Sequence, residues 1–199
     1  MKKMMTLWIG ARLGVVAVTL LAAAPATAQN QIVNPGFDSD LSGWTVFQSQ
    51  EYAVSHDPVM GALAPGSARV DINSAVPLND LVIQQCVTVV AGSNYDFGVK
   101  FRFASGAAPA PTGAVMVQWF ADAICNNPDG AVFSSFSSNT PDIWQPLSAT
   151  NIPAPVGMGS AQFSMLLTST GAGTSVAWYD DAYFGLNPIP VELMGLTVE

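Results

Sequence analysis

Basic residues are scarce in this sequence. Its 199 residues include only six Lys and Arg against fourteen Asp and Glu, and three of the six cations lie within the first 28 residues. Beyond that point the cations are Arg69, Lys100 and Arg102, which against fourteen acids leave a net charge of −11. Nucleic-acid binding needs a basic patch to meet the phosphates, and three cations do not make one. The same deficit argues against an anionic membrane surface as a partner.

Histidine is nearly absent, and it is the side chain that enzymes use most often as a general acid or base. His56 is the single histidine and lies in the loop-like sequence 54–58; no Gly-x-Ser-x-Gly elbow, phosphate loop or dinucleotide fingerprint occurs. Glycoside hydrolysis needs two carboxylates that flank the scissile bond. Among fourteen acids some such pair is inevitable, so its presence is no evidence. We therefore expect a protein that is not an enzyme.

Long apolar runs are absent after the first 28 residues. Lys2 and Lys3 precede an apolar stretch over 13–24, and residues 26–28 read Ala-Thr-Ala, the small-x-small form of a signal cleavage site. The stretch is shorter than the roughly 20 residues that a membrane-spanning helix needs. The pattern predicts that 1–28 is a cleaved secretory signal peptide and that no membrane span remains. The protein is then secreted, with the periplasm or the cell surface as alternative destinations.

Cysteine is limited to Cys86 and Cys125. An even cysteine count in an exported chain favours a disulfide, here closing a loop of 39 residues. The alternatives are a metal site or a nucleophile. Metal binding by cysteine needs more Cys or His at ligand spacing, and the sequence has only His56 besides. We predict a Cys86–Cys125 bridge.

The rest of the chain alternates between apolar and polar residues in short segments separated by Gly, Pro, Ser and Asn. The clearest segment is 95–103, where Tyr95, Phe97, Val99, Phe101 and Phe103 share one face. Further strands are predicted over 67–72, 82–90, 114–123 and from Ala161 to Leu167, and Val117 and Trp119 belong to the apolar face of theirs. Short alternating strands with frequent turns are typical of an all-β, two-sheet antiparallel β-sandwich.

Several motifs refine this prediction. The segment 34–38 reads Asn-Pro-Gly-Phe-Asp, 41–45 reads Leu-Ser-Gly-Trp-Thr, and 177–184 reads Ala-Trp-Tyr-Asp-Asp-Ala-Tyr-Phe. Between them lie Gln-Cys-Val-Thr-Val at 85–89 and Trp-Gln-Pro-Leu-Ser at 144–148. Together they resemble the galactose-binding-like jelly roll of carbohydrate-binding modules associated with xylanases and cellulases. The resemblance implies a single jelly-roll domain over 29–187, followed by an extended tail over 188–199.

The resemblance also bears on two aspartates. Asp180 shares strand parity with the apolar residues Trp178, Ala182 and Phe184, and a carboxylate on such a face is costly unless a partner compensates it. Members of the family often hold a structural calcium between an acid of the opening motif and an aspartate of the closing strand. The matching residues are Asp38 and Asp180, and Ca²⁺ takes carboxylate and carbonyl oxygens. The alternative is that both aspartates cap turns or accept backbone hydrogen bonds.

The function that the resemblance implies is non-catalytic binding of a polysaccharide or another glycan. Sugar recognition combines an aromatic surface with polar side chains for the hydroxyls. The candidates face away from the predicted core: Lys100 and Arg102 on one strand, Gln118 and Phe120 on the next, and Tyr52 from the early loop region. We expect Phe120 to face solvent. Two alternatives stay open: these residues merely solvate an exposed sheet, or the protein is a structural or adhesive one that binds an extracellular protein partner.

Overall fold

The computed structural model describes residues 29–136 and 140–187, so the predicted signal peptide and the predicted tail lie outside the described residues. In the described part the chain forms ten strands and no helix. The strands are β1 (Thr45–Val46), β2 (Tyr52–Asp57), β3 (Ser67–Ser74), β4 (Leu78–Thr88), β5 (Asn94–Phe103), β6 (Thr112–Phe120), β7 (Pro128–Phe136), β8 (Gln145–Pro153), β9 (Ser160–Ser169) and β10 (Gly173–Leu186). Nothing in these residues has the length and hydrophobicity of a membrane-spanning helix.

The strands form two antiparallel five-stranded sheets. The first sheet has the order β1-β4-β9-β6-β7, and the second has the order β2-β3-β10-β5-β8. After β3 the chain crosses repeatedly from one sheet to the other, so neighbours within a sheet are mostly distant in sequence. The predicted all-β sandwich of jelly-roll type is therefore confirmed.

The core between the sheets is strongly aromatic. The predicted inward set on β5 is buried throughout, and Val117 and Trp119 on β6 are buried opposite it. Tyr95 stacks on Phe184 with ring centroids 4.9 Å apart, and Phe97 meets Phe163 edge-on at 6.5 Å. Such pairs add to the stabilisation that burial alone provides. Alternation along β5 and β6 thus identified the core faces correctly.

The two ends of the domain close on one another. The backbone N–H of Gln31 donates to the Phe184 carbonyl at 2.8 Å, and that of Ala182 donates to the Pro35 carbonyl at 2.9 Å. The opening motif is held by its own aromatic rings, since Phe37 stacks on Trp44 with centroids 5.1 Å apart. These contacts place the opening motif beside β10.

The predicted disulfide is present. Cys86 and Cys125 are bonded, with their Cα atoms 6.0 Å apart. Cys125 lies in the loop after β6 rather than at a strand end, because β6 stops at Phe120. The loop folds back over the first sheet, where the Ser160 hydroxyl donates to the Asp122 carbonyl at 2.7 Å. The bridge therefore fastens this loop to the outer face of β4.

Candidate functional site

A cleft lies on the outer face of the second sheet, where the opening motif meets β5, β8 and β10. Its volume is about 530 Å³, within the range of small-molecule sites. The strands supply its floor, and the opening segment and the loop 58–66 supply its walls. The residues that line it are Asn30, Pro35, Gly36, Asp38, Leu63, Val99, Lys100, Pro146, Leu147, Ser148, Asp181, Ala182 and Tyr183. We call it the sheet cleft.

Tyr183 is the aromatic residue of the sheet cleft. It pairs in register with Gly98 on β5 and keeps 37% of its surface exposed. A Cβ at position 98 would come within 2.7 Å of Tyr183 Cε1, so the ring occupies space that only glycine leaves free. Partial burial raises the pKa of the Tyr183 hydroxyl, against a weaker opposing effect of Ser148. At neutral pH the cleft floor therefore offers an aromatic surface with a protonated hydroxyl at its edge.

The polar groups of the sheet cleft include an ion pair. Lys100 Nζ lies 2.8 Å from Asp181 Oδ2. Asp181 reaches this position because β10 has a bulge: the register with β5 shifts between Asp180 and Tyr183, and Asp181 takes a φ of 49°. Asp38, Asn30 and Ser148 add carboxylate, amide and hydroxyl groups around the pair. The cleft therefore combines hydrogen-bond donors and acceptors with one open aromatic ring.

Asp180 lies just behind the cleft and is 1% exposed. Its Oδ2 accepts the Ala62 N–H at 2.6 Å and its Oδ1 accepts the Asp181 N–H at 2.7 Å. Burial raises the pKa of this carboxyl to about 6, although both backbone hydrogen bonds and Lys100 favour the charged form. Asp180 thus fastens the loop 58–66 to the sheet, which is the hydrogen-bonding role that the sequence left open for it.

The parity predicted for Asp180 is wrong. Trp178 and Asp180 face away from the core, whereas Ala182 and Phe184 belong to it. The bulge inserts one extra residue between the two pairs, which reverses the alternation that the sequence shows.

The two cations predicted for the site differ in position. Lys100 lines the sheet cleft, as its outward parity on β5 indicated. Arg102 lies on the same face but outside the cleft, with its guanidinium carbon 5.8 Å from the centre of the Trp178 ring and its Nη2 3.4 Å from Asp142 Oδ1. Its Nη1 contacts Met60 Sδ at 3.4 Å, so the loop 58–66 covers it. Of the two, only Lys100 is placed to meet a ligand in the cleft.

The other three predicted binding residues do not join this surface. Gln118 and Phe120 belong to β6 of the first sheet, so the expected patch shared with β5 is not formed. Phe120 is 3% exposed rather than open to solvent, because it ends its strand next to Ser160, where the disulfide-bonded loop folds back. Tyr52 is also buried on β2, and its hydroxyl donates to the Leu81 carbonyl at 3.1 Å. Tyr52 therefore ties the two sheets together.

The predicted calcium ligands fit a calcium ion only in part. Asp38 lines the cleft wall, and Asp180 is buried with both oxygens bound to backbone N–H groups. Ca²⁺ takes six to eight oxygen ligands. In residues 29–136 and 140–187 no cluster of three or more His, Cys, Asp or Glu side chains is arranged to hold a metal. Lys100 also supplies positive charge beside Asp181. Calcium binding stays a prediction.

Two residues of the cleft, Tyr183 and Leu63, were missed by the sequence reasoning. Tyr183 belongs to the closing motif, and its parity opposite Phe184 marks it as outward-facing. Leu63 lies in a loop with no periodic pattern, and its sequence carries no signal of exposure. His56, whose sequence context is loop-like, lies on β2 and is half-buried, with Nε2 2.8 Å from the Phe37 carbonyl oxygen.

No family model matches the sequence, and no curated protein does either. Solved structures match at the level of fold. The module TmCBM61, determined in complex with β-1,4-galactotriose, is 18% identical with a TM-score of 0.58, over 80% of this chain and 99% of that one. The C-terminal family 22 carbohydrate-binding module of Clostridium thermocellum Xyn10B is 16% identical with a TM-score of 0.55, over 78% and 92% of the two chains.

A third match comes from a different kind of protein. The enzymatically active domain of the bacteriophage CBA120 tailspike protein 4 is 13% identical with a TM-score of 0.61, over 79% of this chain but only 21% of that one. Identities this low establish the fold alone. The chain therefore has the β-sandwich fold of carbohydrate-binding modules, as the sequence motifs predicted.

Proposed function

We propose that this protein is an exported, non-catalytic glycan-binding protein that holds an uncharged polysaccharide in the sheet cleft. The observation that carries the proposal is the Tyr183 ring, 37% exposed on the cleft floor above Gly98 and surrounded by polar side chains. An aromatic face contacts the C–H face of a sugar ring, while amide, hydroxyl and charged groups bond its hydroxyls. Support for the class of ligand comes from the fold shared with modules described as binding galactotriose or xylan. The disulfide fits export.

The charges of the cleft favour an uncharged chain over an acidic one. All three cations beyond residue 28 lie in the described part and are ion-paired: Arg69 with Asp71, Lys100 with Asp181 and Arg102 with Asp142. Asp38 and Asp181 outnumber Lys100 in the cleft itself. A uronate or sulfate group would meet net negative charge there with no unpaired cation to receive it.

The two aspartates of the closing motif support binding without cleavage. A general acid for this reaction is a carboxyl with a raised pKa that can reach the glycosidic oxygen. Burial raises the pKa of Asp180, but that carboxyl is 1% exposed and holds two backbone N–H groups. Asp181, which does line the cleft, is paired with Lys100. We therefore expect binding without hydrolysis.

Affinity electrophoresis against neutral and acidic polysaccharides, followed by calorimetry, tests the proposal. We expect retention by a neutral glycan, none by a polyuronate, and no new reducing ends after long incubation. Tyr183→Ala should weaken binding roughly 5-fold to 100-fold, the loss expected for one aromatic contact. Leu186→Ala is the matched control, since Leu186 lies on the same strand with 38% exposure and does not line the cleft. A mature chain that binds no polysaccharide would instead support the adhesive alternative.

A further inference from the structure

The charged residues are divided unequally between the two sheets. The strands of the second sheet carry Asp57, Arg69, Asp71, Asp96, Lys100, Arg102, Asp180 and Asp181. The strands of the first sheet carry Asp80 and Asp129 alone, and its neighbouring strands β6 and β9 contain no charged residue. Beyond residue 28 the chain has a net charge of −11, so two copies repel each other over most of their surface. This repulsion is weakest at the first sheet.

The outer side of the first sheet is free of charge at its centre. Asp80 pairs in register with Leu167, a core residue, so it lies on the inner side of β4. Asp129 belongs to the first residues of β7, the edge strand. The outward side chains in the middle of β4, β6 and β9 include six that are uncharged and half-buried: Leu81, Gln84, Met116, Gln118, Gln162 and Leu166. We call this set the uncharged face.

The uncharged face is closely packed. Gln84 and Met116 are both in register with Ser164, one on each side of it. Ser164 is 0% exposed although it points outward, and its hydroxyl has no hydrogen-bond partner. The two longer side chains therefore cover it. Gln162 Nε2 donates to Gln84 Oε1 on the next strand, which joins the rows of the face. The result is a flat surface rather than a groove.

The composition and size of this surface suit a protein interface. The centres of such interfaces are depleted of charged residues and enriched in methionine. Four strands about 4.8 Å apart and roughly 30 Å long cover about 600 Å². Standard-size interfaces bury roughly 600–1,000 Å² on each partner. A flat, uncharged patch can also meet a second copy of itself across a two-fold axis, as in most dimers of identical chains.

We propose that the uncharged face is a dimer interface, through which two copies of this chain pack with their first sheets face to face. The same contact through the second sheets would oppose two surfaces rich in aspartate. The sheet cleft lies on the second sheet and stays open in this dimer. The dimer then presents two clefts that face away from each other. Together with the proposed glycan binding, this arrangement bridges two polysaccharide chains.

Analytical ultracentrifugation of the exported protein tests the interface. We expect a monomer–dimer equilibrium that shifts toward the dimer as salt is raised, because salt screens the repulsion between two anionic copies. Gln84→Glu adds a charge to the face but keeps an oxygen that accepts the Gln162 N–H. It should raise the dimer dissociation constant roughly tenfold or more and leave the melting temperature unchanged.

Two further variants make the test specific. Gln118→Glu places the same charge on β6 and should weaken the dimer as Gln84→Glu does; it decides the matter if Gln84→Glu lowers the melting temperature. Gln50→Glu is the matched control, since Gln50 is exposed in the loop before β2 and the net charge changes equally. It should change the dissociation constant less than about twofold.

The inference is overturned if the protein stays monomeric at every salt concentration up to roughly 100 µM protein. It is also overturned if Gln50→Glu weakens the dimer as much as Gln84→Glu and Gln118→Glu do, since general repulsion would then explain the loss. A monomer that binds glycans would leave the proposed function intact. A dimer that binds none would refute that function and leave the interface standing.

Discussion

Replacing Gly98 with alanine would test how the aromatic surface of the sheet cleft is built. A Cβ at this position would lie 2.6 Å from the Leu147 carbonyl oxygen and 2.7 Å from Tyr183 Cε1. Both separations are too short for carbon contacts, so the β8 backbone and the ring must move. Overpacking of this kind typically costs about 1–3 kcal/mol. For a domain of this size that corresponds to a melting temperature lower by roughly 3–10 °C.

The same change should weaken glycan binding several-fold, because the displaced Tyr183 ring no longer lies against the sheet. Thermal unfolding followed by circular dichroism measures the first effect, and calorimetry with the preferred oligosaccharide measures the second. Gly171→Ala is the control, since a Cβ there meets only Pro109 Cγ at 3.9 Å. An unchanged melting temperature in Gly98→Ala would refute the packing argument. A lower melting temperature with unchanged affinity would refute the role of the Tyr183 ring.

Three further predictions concern stability. Trp119→Ala should lower the free energy of unfolding by roughly 3–5 kcal/mol, because the ring is 2% exposed between the sheets; denaturant titration measures this, and a loss below 1 kcal/mol would contradict it. Burial raises the pKa of Asp180 to about 6 from 3.8, so in calcium-free buffer the native state binds this proton more tightly than the unfolded chain. This protonation contributes about 3 kcal/mol to the free energy of unfolding. The contribution is present below pH 4 and is lost as the pH rises through 6. Asp180→Asn should flatten this part of the pH profile. If calcium binds the ionised carboxylate, a chelator should lower the melting temperature of wild type at pH 7 but not that of Asp180→Asn.

The sequence predicted the fold well because the signals that specify it are local. The alternation on β5 identifies which residues face the core, and that face is buried from Tyr95 to Phe103. Turn-forming residues mark the strand ends to within a few positions. The disulfide was predicted from the cysteine count and the predicted export signal, without knowledge of the topology.

The site was harder to predict because it depends on which strands share a sheet. β5 and β6 are consecutive and both alternate, which suggests a hairpin, yet the chain crosses between sheets after β5. The crossover separates Lys100 and Arg102 from Gln118 and Phe120. The actual neighbours of Lys100 come from β8 and β10, which lie more than forty residues further along the chain. Period-two reasoning assigns a side chain to a face but does not assign the face to a sheet.

The bulge in β10 shows the same limit within a single strand. Uninterrupted alternation would place Asp180 with Phe184, in the core, where an ionised carboxylate needs a compensating partner such as a metal ion. One extra residue reverses the parity, so that Asp180 faces the loop 58–66 and Phe184 still faces the core. The same bulge brings Asp181 to Lys100 in the cleft. The paired aspartates of the closing motif are thus explained together: Asp180 anchors the wall of the cleft, and Asp181 contributes to its floor.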